Sequence, residues 1–449
     1  MSRLSARRVL MIAYLFPPLG GVGVVRTLKF VKYLPDAGWM PVVLAPKNPA
    51  YWLRDPSSLG ELPSGVEIVR SSLLEPTRVR RFLGGTFRAV MPPFGRQRPG
   101  SNATETERFA PGAGLVGRAW ANAVRWLFFP DEQITWLPTA IGAGIRVQRD
   151  EPVEVIYSSS PPISTHLIAG RIQARTGLPW VADFRDPWKG NAFMPALPAF
   201  QRPLQSRMER WIVEHADRCV FPSPSITSMY QRRYPERSGR LLTIPNGYDP
   251  ADLALGAAPR EAGDKFRLLY TGSLHTEREL VIFLRGMELL AERRSDVRER
   301  LEVEFVAWRD EHNERVAAEF STPSRLGGMV RFTDHIPHRE AIARLKAADA
   351  GLVLLAEGPH RRGVVGTKIF EYIGLDKPVL AVIPPGDARA ILAELDWGVV
   401  VDPTPEGVAD GLMRMLELPL TQRRADPDRL YDRQKLAAKL GAVFEEVST

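Results

Sequence analysis

The feature that most constrains the fold is a repeated order of segments. A short apolar run ends in turn residues, an amphipathic stretch follows, and a second short apolar run comes next. The first instance opens the chain. Residues 8–13 read Arg-Val-Leu-Met-Ile-Ala and stop at the turn-forming stretch 17–23, the pattern of a strand buried on both faces. Val24, Leu28, Val31 and Leu34 then fall at helical spacing and Gly38 closes the segment, so 24–37 is expected to be helical. Residues 40–45 supply the next strand. Strands joined in this way pair in parallel with right-handed crossovers.

The same order recurs twice over. Strands are expected at 153–158, 180–184, 218–222 and 241–245, with a helix over 164–176. After a polar, Gly/Ala-rich linker at 249–264, a second series starts. It has strands at 266–270, 301–307, 330–332, 351–355, 378–383 and 398–401, and helices at 277–293 and 339–347. A chain of 449 residues, 44% hydrophobic and 25% charged, carries enough apolar material for two cores. The expectation is an α/β fold of two Rossmann-like, doubly wound parallel-sheet domains. The first spans 1–248 and the second 249–429, and an amphipathic helix from about 430 to 449 crosses back to the first domain. Ligands of such sheets bind beyond the carboxyl ends of the strands, so a cleft between the domains is the expected site.

Residues 76–130 break the pattern. They are arginine-rich and lack lysine, with apolar stripes at Val79, Phe82, Leu83, Phe87 and Val90, and at Leu115, Ala119, Ala123, Trp126 and Leu127. Two readings fit: basic amphipathic helices on an anionic membrane surface, or helices packed on the protein, as an acceptor lid would be. A net charge of +8 favours anionic partners, but no basic stripe with interleaved aromatics outside 76–130 points to nucleic acid. The lone Cys219 rules out a disulfide framework and lies in an apolar run as a small hydrophobe would. No apolar run reaches the roughly 20 residues of a membrane span. The basic start at Arg3, Arg7 and Arg8 leads into a strand, with no small-residue cleavage site. A soluble cytoplasmic protein is expected, peripheral at the inner membrane face if 76–130 binds lipid.

Three glycine-bearing turns carry candidate chemistry. Gly20, Gly21 and Gly23 lie between a strand and a helix, with Arg26 on the first turn. That is a phosphate or acceptor loop, or an ordinary tight turn; it is not the dinucleotide fingerprint, whose third glycine is absent. Gly272 and Ser273 follow the first strand of the second series, and Arg278 starts the next helix, where it could hold a diphosphate. The third turn, Gly366-Thr367-Lys368-Ile369-Phe370-Glu371, offers an N-cap at Thr367, free amides and an ammonium for an anion. One turn later the Glu371 carboxylate can accept two hydroxyls of a ribose.

These marks resemble the family-four retaining glycosyltransferases of GT-B fold. The resemblance runs through Gly20-Gly21, Pro245-Asn246-Gly247-Tyr248-Asp249, Tyr270-Thr271-Gly272, Val330-Arg331-Phe332, Ala347-Ala348-Asp349-Ala350, Thr367-Lys368-Ile369-Phe370-Glu371-Tyr372 and Lys377-Pro378-Val379. Ser158 to Pro162 and Asp183 to Trp188 resemble a subgroup associated with bacterial surface-polysaccharide assembly. The resemblance implies that Glu371 binds the nucleotide ribose, that Gly366, Thr367 and Gly272 meet the donor diphosphate, and that His335 and Ile336 contact the base. The family's first paired glutamate falls at Gly363, with Glu357 out of register, and Ser273 stands where a basic residue is usual. Lys368 is therefore expected to supply charge beside Arg278.

The implied reaction moves a sugar, with retention, from a nucleoside-diphosphate sugar to a glycan or lipid-linked acceptor. It needs no metal or other cofactor, and the departing phosphate takes the acceptor proton. Asp186 or His166 are candidates to orient or deprotonate that acceptor. Asp426-Pro427-Asp428, the one Asp-x-Asp, lies in a polar tail, and the histidines lack metalloprotease spacing. The alternatives are a nucleotide-sugar epimerase of the same architecture and a non-catalytic partner that binds nucleotide or glycan.

Overall fold

The computed structural model describes residues 7–51, 53–75, 128–191, 197–254, 256–259, 265–274, 277–309, 311–334, 336–358, 360–417 and 424–449. The basic stretch 76–127 and His335 lie outside them. The described residues form two compact units. One holds the described residues up to Pro245 together with Gln434–Thr449; the other holds those of Asn246–Arg433.

The first unit is a seven-stranded parallel sheet of β1 (Arg7–Ala13), β2 (Trp39–Lys47), β3 (Glu67–Ser72), β4 (Val155–Ser160), β5 (Trp180–Phe184), β6 (Arg218–Phe221) and β7 (Leu241–Thr243). The order is β3-β2-β1-β4-β5-β6-β7. Alternation along β1 supplies two cores. Leu10 and Ile12 face Trp136, Ala140 and Ile172, whereas Val9 and Met11 face Phe30, Val31 and the last helix. That helix, Arg433–Ser448, buries Leu436, Ala437, Leu440 and Phe444 in this second core, and Phe444 meets Trp39 edge-on at 5.4 Å. The first helix runs from Val22 to Tyr33 and tightens into a 3-10 turn over Leu34–Ala37. Pro35 lacks the amide that would extend the α-helix, and Gly38 ends the turn at a φ of 81°.

The second unit is a six-stranded parallel sheet of β8 (Phe266–Ser273), β9 (Leu301–Trp308), β10 (Val330–Thr333), β11 (Ala350–Leu354), β12 (Val379–Val382) and β13 (Val399–Val401). The order is β10-β9-β8-β11-β12-β13. Leu268 and Tyr270 bury on one face and Leu269 on the other, with Ile369, Phe370 and Ile373. Among the described residues no helix is long and apolar enough to cross a membrane.

Candidate functional site

In the second sheet β9 lies on one side of β8 and β11 on the other. The chain reverses its direction of growth between β8 and β11, and ligands of open α/β sheets sit beyond the strand ends at such a reversal. Gly272 is at the carboxyl end of β8, at a φ of 140° with open space where a Cβ would stand. Arg278, exposed, is the second residue of the following helix, Glu277–Arg293.

Across the reversal, the loop after β11 is built by specific contacts. Ala356 N donates to Glu279 Oε1 at 3.0 Å, and Arg361 Nη1 donates to the same oxygen at 2.8 Å. The loop ends at Gly366, which is exposed and has no atom within 4 Å of a notional Cβ. Gly366, not Thr367, is the N-cap: its φ and ψ are −62° and 136°, no side chain caps the turn, and Thr367 is the first residue of the helix Thr367–Gly374. The sequence expectation of a Thr367 cap is corrected, because a glycine can bring its backbone to an incoming ligand with no side chain in the way. Lys368 Nζ donates to Glu371 Oε2 at 3.0 Å and to Oε1 at 3.2 Å. The ammonium and the carboxylate expected to serve phosphate and ribose are thus paired with each other, both partly exposed. Tyr372 of this helix lies over β11, and a Cβ on Gly351 would come 2.7 Å from its ring. Ser273 closes β8, and Ile336 is half-buried beside the core that holds Ile342 and Ile369.

The first sheet reverses between β1 and β4. Gly20 there is buried, with Leu53 and Asp55 3.1 Å from a notional Cβ, and Gly21 caps the helix at a φ of 91°. Arg26 is 2% exposed. It is held by Asp183 through Nε (3.0 Å) and Nη2 (2.8 Å), and it also donates to the carbonyls of Ile244 and Pro245. Tyr157 donates to Asp183 at 2.7 Å. The Arg26 charge is therefore committed inside the core.

A neighbour the sequence reading passed over ties the carboxyl end of β4 and the turn after it to the start of the first helix. Arg185 donates to Ser160 O at 3.2 Å, to Pro161 O at 2.9 Å and to Gly23 O. Gly23 has no side chain to obstruct that guanidinium, which stands 3.0 Å from a notional Cβ. Asp186 follows; burial pushes its carboxyl up against the opposing pull of Arg185. His166 is wholly buried. Its Nδ1 lies 2.8 Å from Ser158 Oγ, which also accepts from Trp180 Nε1 at 2.8 Å. The ring packs 4.5 Å from that of Phe184, and burial lowers its pKa to about 3. A ring so enclosed is neutral at pH 7. Cys219 is also buried, with its thiol pushed up to about 12. The sequence hinted at Arg185 only through the string Asp183 to Trp188; nothing local in sequence marks the partner of Glu279.

A search of curated proteins returns no match at a significant level. Residues 96–252 match the family described as Glycosyltransferase Family 4. Among solved structures, the chain is similar to sucrose-phosphate synthase from Thermosynechococcus elongatus, at 14% identity over 98% of each chain and a TM-score of 0.61. It is also similar to a glycosyltransferase from Rickettsia africae, at 11% identity over 98% of each chain and a TM-score of 0.62. A third is HepE from Anabaena in complex with UDP-glucose, at 11% identity over 98% of this chain and 99% of that one, with a TM-score of 0.57. At these identities the likeness is one of fold: two parallel α/β sheets in the GT-B arrangement of elements.

Proposed function

From a GT-B fold that carries a Glycosyltransferase Family 4 match, we propose that the protein transfers a sugar from a nucleoside-diphosphate sugar to a glycan or lipid-linked acceptor. The observation that carries this reading is the uncapped, exposed helix start at Gly366 on one side of the β8–β11 reversal, with Gly272 and Arg278 on the other. Open backbone amides at a helix N-terminus, a guanidinium and an ammonium suit a diphosphate. As the sugar–phosphate bond breaks, negative charge grows on the leaving diphosphate. Donors aimed there are worth about 3–4 kcal/mol each where such groups have been removed from other enzymes. In this reading Glu371 exchanges its Lys368 contact for the ribose hydroxyls, and Lys368 turns to phosphate. The transfer proceeds with retention and without a metal, the leaving phosphate receives the acceptor proton, and Asp186 orients the acceptor. The setting we propose is polysaccharide or glycolipid synthesis at the cytoplasmic face of a membrane.

UDP is the first donor nucleotide to test, because HepE binds UDP-glucose. Thermal-shift titration with UDP, GDP, dTDP and CMP should single out one nucleotide. At 100 times its dissociation constant it stabilises the protein by about 2.7 kcal/mol. Transfer from the matching sugar nucleotide should then survive EDTA. Free sugar released with no acceptor present would turn the assignment toward an epimerase, and no nucleotide response at all would overturn it.

A further inference from the structure

We propose that Glu279 and Arg361 form a positioning pair that sets the spacing between the two cation-bearing edges of the diphosphate site; the inference rests on the nucleotide-binding reading above. The pair is enclosed, with side chains 1% and 12% exposed, and its contact is 2.8 Å. Glu279 is adjacent to Arg278 in the first turn of the helix after β8. Its carboxylate reaches across the reversal to both ends of the segment 356–361, accepting from Ala356 N and from Arg361. That segment leads into Gly366. One carboxylate thus fixes the helix start that presents Arg278 to the loop that presents the Gly366 amides.

Two glycines fit the same purpose. A Cβ on Gly358 would lie 3.1 Å from Arg361 Nε, and one on Gly386 would lie 2.5 Å from Arg362 O. The first leaves room for the guanidinium, and the second lets the helix Asp387–Glu394 close against the same loop. A buried ion pair contributes little net stability compared with apolar side chains of the same volume. Its place between two phosphate-facing elements accounts for it better than stability does. The glutamate also lies within the first turn, where a carboxylate is favoured by the helix dipole.

The test compares UDP with UMP (or GDP with GMP, if the wild-type protein prefers guanine) by calorimetry. Glu279→Gln keeps the side-chain shape and an acceptor for Ala356 N but loses the charge that holds Arg361. UDP binding should weaken about tenfold, the usual scale for one charge-assisted contact, while UMP binding stays within about twofold. The double variant Glu279→Gln/Arg361→Met removes the orphaned guanidinium. It should recover most of the melting temperature yet keep the weakened UDP binding. A UDP-to-UMP ratio unchanged from wild type in both variants, whatever their melting temperatures, would assign the pair a purely structural role and overturn the proposal. A wild-type protein that binds no diphosphate at all would remove the nucleotide-binding reading first, and this inference with it.

Discussion

Glu371 and Lys368 stand one helical turn apart and hold each other. Because both are partly exposed, their mutual contact is worth about 1 kcal/mol or less, so a ligand can displace it at low cost. Glu371→Gln should therefore leave the melting temperature nearly unchanged while weakening nucleotide binding by roughly tenfold, read by calorimetry. His166 makes the opposite kind of statement. Its folded pKa of about 3 lies below the ordinary 6.5, so its contribution to stability is complete above pH 6.5 and declines as pH falls toward 3. The decline is about 1.4 kcal/mol per pH unit at most. Urea midpoints between pH 6.5 and 4.5 should fall less steeply for His166→Gln than for wild type. Such a residue does not suit a general base at neutral pH, which leaves Asp186 as the acceptor-side candidate to mutate.

At the scale of elements, packing links each loop to the sheet beneath it. Gly351→Ala would drive a methyl group into the Tyr372 ring. The Thr367–Gly374 helix should shift, with a cost of about 1–3 kcal/mol and a measurable loss of nucleotide affinity. In the first unit, Asp183→Asn leaves Arg26 buried without its counter-charge. A loss of about 3–5 kcal/mol is expected in chemical denaturation, larger than for removal of any exposed ion pair. Most of these elements were legible in the sequence: the strands β1, β4, β5, β8 and β11 stand where their short apolar runs placed them, and a helix follows the turn at Gly366. β3 was not legible, because Glu67–Ser72 is a half-exposed edge strand with a charge at each end of its apolar core. The helices Leu137–Asp150 and Arg202–His215 were also missed: the first buries a stripe of small residues, Ala140, Ala143 and Gly144, and the second mixes Gln205 and Glu209 into its buried face. The Glu279–Arg361 contact spans 82 residues; only the adjacency of β8 and β11, a property of the sheet order, brings the two together.

At the scale of the whole molecule, the chain leaves its first unit at Pro245 and re-enters it at Gln434. The paired segments at the exchange are hydrogen-bonded: Tyr248 N donates to Tyr431 O at 2.9 Å and Arg433 N to Tyr248 O at 2.9 Å. Phe444→Ala should cost about 3–5 kcal/mol, read as a lowered first transition in calorimetry. The second unit then serves as the internal comparison, because the described buried residues that cluster with Phe444 belong to the first unit. The nesting also bears on how the protein is made. Synthesis runs from the amino end at about 5–20 residues per second, so the 188 residues of Asn246–Arg433 are added before the last helix exists. Throughout that interval Val9, Met11, Val43 and Val155 form a greasy wall on the nascent chain that Phe30 and Val31 cover only in part. Its lid is made only after the whole second unit, so the sheet made first waits longest for its cover and is the one most in need of a chaperone's shelter.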